Sequence, residues 1–124
     1  MYLWSEKQGF SKFGSYTGNG NADGTFIYTG FRPAYVMIKL TSGSDNWVID
    51  DNKRSPHNFM QNTLFANATT AEYTGSAYGI DFLSNGFKVR NDDGQYNTSG
   101  GTYLYAAFAE SPFVNSEGVP NNAR

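Results

Sequence analysis

His57 is the only histidine of the chain, and together with the carboxylates it is the side chain best suited to acid–base chemistry. It follows Pro56 in an irregular segment. General acid–base and nucleophilic catalysis need such a group to converge with a nucleophile, and the chain contains no G-x-S-x-G pattern. We therefore interpret His57 as an ordinary loop residue and predict no catalytic residue.

Two pairs of adjacent carboxylates, Asp50-Asp51 and Asp92-Asp93, invite comparison with glycoside hydrolases. Those enzymes hold two carboxyl groups about 5–9.5 Å apart across a sugar cleft. Neighbours on a strand point to opposite faces, so adjacency alone does not form such a dyad. Both pairs border turns, where Asp side chains commonly bond their own backbone. We predict turn-capping roles, with a small glycan hydrolase as the third functional hypothesis.

The segment 19–24 resembles the first half of a calcium loop, because Asn19, Asn21 and Asp23 supply oxygens at alternate positions before Gly24. The match stops there. Gly30 stands where a bidentate Glu should follow, and Asp23 supplies the only charge. We predict a glycine-rich turn, with no metal and no other cofactor.

Tyrosines beside polar loops could stack on a sugar ring or on a partner protein, as large amphipathic rings often do. Most aromatics at alternating strand positions belong to the core, so the tyrosines next to loops are the better candidates. With the loop oxygens they give a predicted binding surface. Its residues are Tyr16, Asn19, Asn21, Asp23, Tyr73, Asp92, Asp93 and Tyr96.

Short β-strands must position these residues. The 124 residues match one domain, 17% of them are aromatic, and 14 glycines imply many tight turns. Strand patterns recur about every dozen residues, which is typical of sandwiches and jelly rolls. We predict an all-β fold, an antiparallel β-sandwich or jelly roll of about 7–8 short strands, over residues 1–113. Residues 114–124 are predicted to form a polar tail.

Two strands have the clearest patterns. Residues 34–41 place Val36, Ile38 and Leu40 on one face and Tyr35, Met37 and Lys39 on the opposite face. Residues 102–109 are apolar on both faces. A strand of this second kind belongs in the centre of a sheet, covered on each side.

Asn85-Gly86 between two apolar runs is a strong hairpin signal. A type I′ turn centred on these two residues pairs Phe82 with Val89 and places both in the core. It also pairs Asp81 with Arg90 as opposite charges and requires a positive φ at Gly86.

Composition argues against several partners and compartments. The net charge is −2 and the nine basic residues are scattered, which is unlike a nucleic-acid-binding face. No apolar run approaches the ~20 residues of a membrane helix, and the first residues do not resemble a signal peptide. The absence of cysteine excludes a disulfide framework and thiolate metal sites.

Several phrases of the sequence resemble a known family, in the same order and from about Trp4 to Phe113. They are Lys12-Phe-Gly-Ser-Tyr-Thr-Gly-Asn-Gly20, Tyr28-Thr-Gly-Phe-Arg-Pro-Ala34 leading into Val36-Met37-Ile38-Lys39, Asn46-Trp47, Asp81-Phe-Leu-Ser-Asn-Gly-Phe-Lys-Val-Arg90 and Gly101-Thr-Tyr-Leu-Tyr-Ala-Ala-Phe-Ala-Glu110. Together they resemble an uncharacterised domain found, often at the C-terminus, in tail and other virion proteins of bacteriophages, particularly marine ones.

The resemblance implies a non-enzymatic virion structural protein, assembled in the host cytoplasm. The expected partners are further copies of the chain, as a trimer in a fibre tip, other virion proteins, and a host-surface glycan. That domain usually ends a much longer chain, whereas here it follows Met1 closely. Both a tail fibre domain and a small head-fibre or decoration protein therefore fit. A stand-alone carbohydrate-binding module is the alternative.

Overall fold

Two antiparallel sheets make up the fold in the computed structural model, which describes residues 3–111. The strands of this part are β1 (Ser11–Thr17), β2 (Phe26–Tyr28), β3 (Pro33–Leu40), β4 (Trp47–Asp51), β5 (Asn62–Phe65), β6 (Tyr73–Thr74), β7 (Ile80–Leu83), β8 (Gly86–Val89) and β9 (Thr102–Ala109). A single helical turn, α1 (Gly94–Asn97), precedes β9. The predicted all-β sandwich is confirmed. The predicted tail at 114–124 lies outside the described residues.

The larger sheet has six strands in the order β1-β9-β3-β4-β5-β6, and the smaller has three in the order β2-β8-β7. The core lies between them. Val36, Ile38 and Leu40 of β3 face it, as their alternation predicts. Nine strands are described, more than the 7–8 predicted. The difference arises because β5 and β6 lie in the segment 51–75, whose sequence pattern is irregular. In the described part of the chain, no helix is long and apolar enough to cross a membrane.

β9 lies between β1 and β3, so its predicted interior position is confirmed. Tyr103, Tyr105 and Ala107 face the core. Leu104 points the other way and is 51% exposed. The expectation that both faces of this strand are covered is therefore wrong within residues 3–111. The small sheet packs on one side only, and no other part of the described chain covers the outer face of the large sheet.

The β7–β8 hairpin exists, but its predicted register and turn are wrong. Leu83 pairs with Gly86 and Phe82 with Phe87, so Ser84 and Asn85 form the loop. Neither loop residue has a positive φ, which excludes the type I′ turn. The neighbouring strand β2 explains the shift. A Cβ on Gly86 would lie 2.1 Å from the Ile27 carbonyl oxygen, so β2 approaches a position that only glycine fits.

The burial predicted for the hairpin is correct. Phe82 and Val89 are both fully buried on one face, although each pairs with a different partner from the one expected. Asp81 pairs with Lys88 across the strands. Its carboxylate still lies 3.5 Å from Nε of Arg90, a diagonal contact.

Candidate interaction surface

The outer face of the large sheet carries an unbroken apolar row across five strands. The register places Ala106 of β9 between Phe13 of β1 and Met37 of β3. Met37 pairs in turn with Ile49, which pairs with Leu64. Side chains alternate along a strand, so these five point away from the core that their neighbours fill.

A trough of about 540 Å³ follows this face. Ala106 and its neighbour Met37 lie at the base of the trough. The hollow is there because the Ala106 side chain is smaller than those around it. Register places Phe108 and Tyr35 together at one end and Leu104 and Lys39 together at the other. Trp4, Phe13 and Trp47 also line the trough.

The wall around Phe108 is an aromatic cluster. Four rings meet Phe108 edge-on, with centroids 5.6 Å away for Trp4, 6.4 Å for Phe10, 5.9 Å for Phe13 and 5.8 Å for Tyr35. Edge-to-face pairs of this kind contribute about 0.5–1.5 kcal/mol each beyond their buried area. The cluster holds the segment that precedes β1 against the sheet, so this wall is formed before any partner binds.

Both charged side chains at the rim of the trough, Lys39 and Asp51, make contacts within the chain. The Lys39 ammonium donates a hydrogen bond to the Asp45 carbonyl oxygen. Asp51, in the row of Tyr35, lies 2.6 Å from Nε of Arg54 and also accepts from backbone amides. Partial burial raises the pKa of Asp51, but hydrogen bonds from the Arg54 amide and guanidinium outweigh burial and hold this pKa below its ordinary value. The face is thus mainly apolar, and the Lys39 ammonium stands at one end of it.

Two tyrosines of the predicted binding surface are core residues, and this part of the prediction is wrong. Tyr16 is buried, and its hydroxyl donates to the Tyr96 carbonyl oxygen at 2.7 Å. Tyr96 is fully buried, and its hydroxyl donates to Asp50 at 2.9 Å. Alternation in β1 points Tyr16 inward, and α1 turns Tyr96 toward the same core. Their polar neighbours in sequence do not reveal this.

The predicted loop residues Asn19, Asn21 and Asp23 are exposed, and their oxygens serve the loop itself. Asn19 Oδ1 accepts from the Asn21 amide, and Asn21 Oδ1 accepts from the Asp23 amide. The Asp23 carboxylate lies 2.7 Å from Nζ of Lys88, whose hydrogen bond lowers the Asp23 pKa. These contacts favour the glycine-rich turn. Within residues 3–111 no three His, Asp or Glu side chains come together as metal ligands.

Asn97 anchors this loop, a role that the sequence did not suggest. The side chain is fully buried. Its amide nitrogen donates to Asn19 Oδ1 at 2.8 Å, to the Asn21 carbonyl at 2.7 Å and to the Asn91 carbonyl at 2.9 Å. Its oxygen accepts from the Asn19 amide at 2.9 Å. One amide therefore ties the loop between β1 and β2 to the segment around α1.

The other predicted residues are dispersed. Tyr73 is half-buried against Tyr78, with ring centroids 4.5 Å apart. Asp92 is exposed, and Asp93 caps α1 by accepting from the Gln95 amide at 2.9 Å. The structure does not gather the eight predicted residues on one surface. The sequence analysis did not predict the trough. The apolar residues on both faces of β9 were the sequence feature that could have indicated it, because one of these faces lines the trough.

Asp50 and Asp51 point to opposite sides of β4, so they form no dyad across a cleft. Asp50 is fully buried, where it accepts from Thr63 Oγ1 at 2.8 Å and from the Tyr96 hydroxyl at 2.9 Å. Burial raises the pKa of Asp50 to about 7, against the effect of these two hydrogen bonds. A shifted pKa often marks a reactive group. Here the carboxyl is enclosed by the core, out of reach of a substrate in solvent.

The comparisons with known proteins give one match. Residues 1–112 match the family described as a domain of unknown function, DUF7483. No curated protein and no solved structure matches the chain. Because the family match covers nearly the whole sequence, the chain belongs to the DUF7483 family.

Proposed function

We propose that this protein is a non-enzymatic structural module of a bacteriophage virion, in a tail fibre or as a head fibre or decoration protein. The observation that carries the proposal is the apolar outer face of the large sheet, which nothing covers within residues 3–111. The resemblance of the sequence phrases to phage virion domains supplies the biological setting.

Large exposed apolar patches usually mark surfaces that bind other molecules. On this face Trp4 is 67% exposed, Leu104 51% and Trp47 41%. Water contact with so much apolar surface is unfavourable, at roughly 25 cal/mol per Å². A particle that packs many identical subunits provides neighbours that remove such surface from water.

The polar groups support a structural role over an enzymatic one. Asp50 is sealed in the core. Ser55, two residues before the only histidine, uses its hydroxyl oxygen to accept from the Gln61 and Asn62 amides at 3.0 and 3.1 Å. His57 itself is exposed. This arrangement holds a loop in place and leaves Ser55 poorly disposed as a nucleophile.

Mass spectrometry of purified particles tests the virion role. The particles are those of the phage whose genome encodes the chain, and a non-structural phage protein serves as the control. We expect this chain at a fixed copy number relative to the major capsid protein, with the control absent. Expression in infected cells without incorporation into particles would overturn the proposal.

A carbohydrate-binding module is the second candidate, favoured by the exposed rings of Trp4 and Trp47 beside the trough. Aromatic faces stack on sugar rings, but a glycan also needs polar partners, and Lys39 is engaged within the chain. A glycan array followed by titration of any hit against Trp47→Ala tests this candidate. Binding lost in the variant supports it, and an array without hits contradicts it.

A further inference from the structure

We propose that the trough is occupied by the same face of a second copy, so that two chains pack their six-stranded sheets face to face about a twofold axis. This inference rests on the proposed docking function and names its partner. Three features of the face lead to it: its mainly apolar composition, the shape of its surface, and its size.

Charge excludes a strongly polar partner. The row from Phe13 to Leu64 contains no ionisable side chain. Of the nearest charges, Asp51 is in an ion pair with Arg54, and the Lys39 ammonium donates a hydrogen bond to a backbone carbonyl oxygen. A charged surface docked here would lose its hydration without gaining a partner, which is costly. An apolar sheet face loses little of this kind, and a second copy presents one.

The shape of the face is complementary to itself, because it has one projection and one hollow of matching position. Leu104 projects beside the hollow over Ala106, two residues further along the same strand and about 6.6 Å away. Consider a twofold axis that lies between the two sheets, runs across the strands and passes midway between these two positions. It places Leu104 of each chain opposite the hollow of the other. The strands of the two sheets then run nearly parallel or antiparallel, as in aligned sandwich packing at about 10 Å.

The size of the face fits a modest dimer. Five strands at about 4.8 Å span about 24 Å, and three alternating rows of side chains extend about 20 Å along the strands. The footprint is on the order of 500 Å² per chain, below the ~800 Å² of a standard interface. We therefore expect reversible pairing with a dissociation constant in the micromolar range.

Trp4 and Trp47 flank the trough and are the only tryptophans of the chain, so their fluorescence reports whether the face is covered. The experiment measures the mass of the full chain by sedimentation and the quenching of tryptophan by acrylamide over one series of protein concentrations. We expect the mass to rise from one chain to two while the quenching falls in parallel.

Leu104→Lys and Leu104→Glu place a charge on the face at an exposed position. Each alone should weaken pairing by at least ~10-fold, the effect of losing a central apolar contact. Because the twofold axis brings the two copies of position 104 close together, an equimolar mixture of the two variants should recover much of the pairing. Tyr28→Lys is the matched control, since Tyr28 is 66% exposed on β2 of the small sheet. It should pair like the unaltered chain.

Each contrary result has a distinct meaning. A one-chain mass at every concentration overturns the proposal. If acrylamide then quenches the tryptophan fluorescence only weakly, residues 112–124 are the candidate that shields the face. If it quenches strongly, a different protein or a glycan remains as the candidate partner. A three-chain mass, or pairing lost in Tyr28→Lys but kept in Leu104→Lys, also overturns it. The virion role is judged separately, by particle composition.

Discussion

Among residues 3–111, Asp50 is the only Asp, Glu, Lys, Arg or His side chain that is fully buried. It lies in the core with Thr63 and Tyr96 as hydrogen-bond donors, and no cation is paired with it in the described structure. An ionised carboxylate is costly in such a place, and burial therefore raises its pKa to about 7. The fold consequently favours the protonated form over a range in which the unfolded chain is ionised.

The first prediction concerns stability and pH. The unfolded Asp50 carboxyl loses its proton near pH 3.8, whereas the folded one retains it to about pH 7. Between these values the folded state binds more protons, so stability falls as pH rises. We expect the free energy of unfolding to be about 1–3 kcal/mol higher near pH 5 than near pH 8. Urea titrations at the two pH values measure this, and Asp50→Asn should remove most of the difference.

Asp51→Asn is the matched control for this slope. The pKa of Asp51 is lowered, so its carboxylate is ionised in both states above about pH 5 and contributes no slope there. This variant should lose stability through the broken Arg54 contacts but keep the pH dependence. An Asp50→Asn protein with the original slope would contradict the explanation.

Asn97 gives the second prediction. Asn97→Ala leaves the buried Asn91 carbonyl without this partner and removes the four bonds that tie Asn91, Asn19 and Asn21 to one side chain. Unsatisfied buried polar groups are costly. We expect a loss of about 2–4 kcal/mol and faster hydrogen exchange in residues 18–24. Asp92→Ala, at an exposed position of the same region, should change stability by about 0.5 kcal/mol or less. Equal effects of the two changes would count against an anchoring role for Asn97.

At the scale of elements, the β7–β8 hairpin shows how a neighbouring strand selects a register. The Asn85-Gly86 pair favours a tight turn in the local sequence. In a type I′ turn both of these residues would lie in the loop. In the fold, Gly86 pairs with Tyr28 of β2 instead. The close approach of β2 at Ile27 is possible only at a residue without a side chain. The glycine is thus required for packing between strands, with an ordinary φ.

The third prediction follows from this contact. Gly86→Ala forces the Ile27 carbonyl away and should destabilise the domain by about 1–3 kcal/mol. Asp81→Ala removes a partly exposed ion pair with Arg90, worth at most about 1 kcal/mol. Chemical denaturation of both variants compares them. If Asp81→Ala is the more damaging change, the packing explanation is wrong.

At the scale of the whole molecule, the two sheets are unequal. Six strands face three, and the described residues of this chain place their core on one side of the large sheet. Edge strands and open faces are where β-proteins associate. The carboxylates of residues 3–111, by contrast, are dispersed between the core, the turns and ion pairs, and no two of them face each other across a cleft in this part of the chain.

The fourth prediction is therefore an absence of glycan hydrolysis. Incubation of the full chain with host polysaccharide should release no reducing sugar above the level of a heat-denatured sample. Sugar release that Asp50→Asn or Asp92→Asn abolishes would contradict this prediction and revive the hydrolase hypothesis.

Local sequence determined the fold class, the inward face of β3, the interior position of β9 and the burial of Phe82 and Val89. Each of these depends on alternation along one strand or on residues that favour turns, and both signals are contained in a few neighbouring residues. The candidate surface was less accessible to this reasoning. Alternation identifies the side chains that share a face, but it does not say whether another layer covers that face.

Tertiary structure decided the rest. It buried Tyr16 and Tyr96, it joined Asn97 to a loop almost eighty residues away in sequence, and it shifted the hairpin register. It also left the row through Ala106 uncovered in the described part of the chain. These outcomes depend on which strands become neighbours and where the smaller sheet ends, and such contacts form between segments far apart in the chain, which no local pattern encodes.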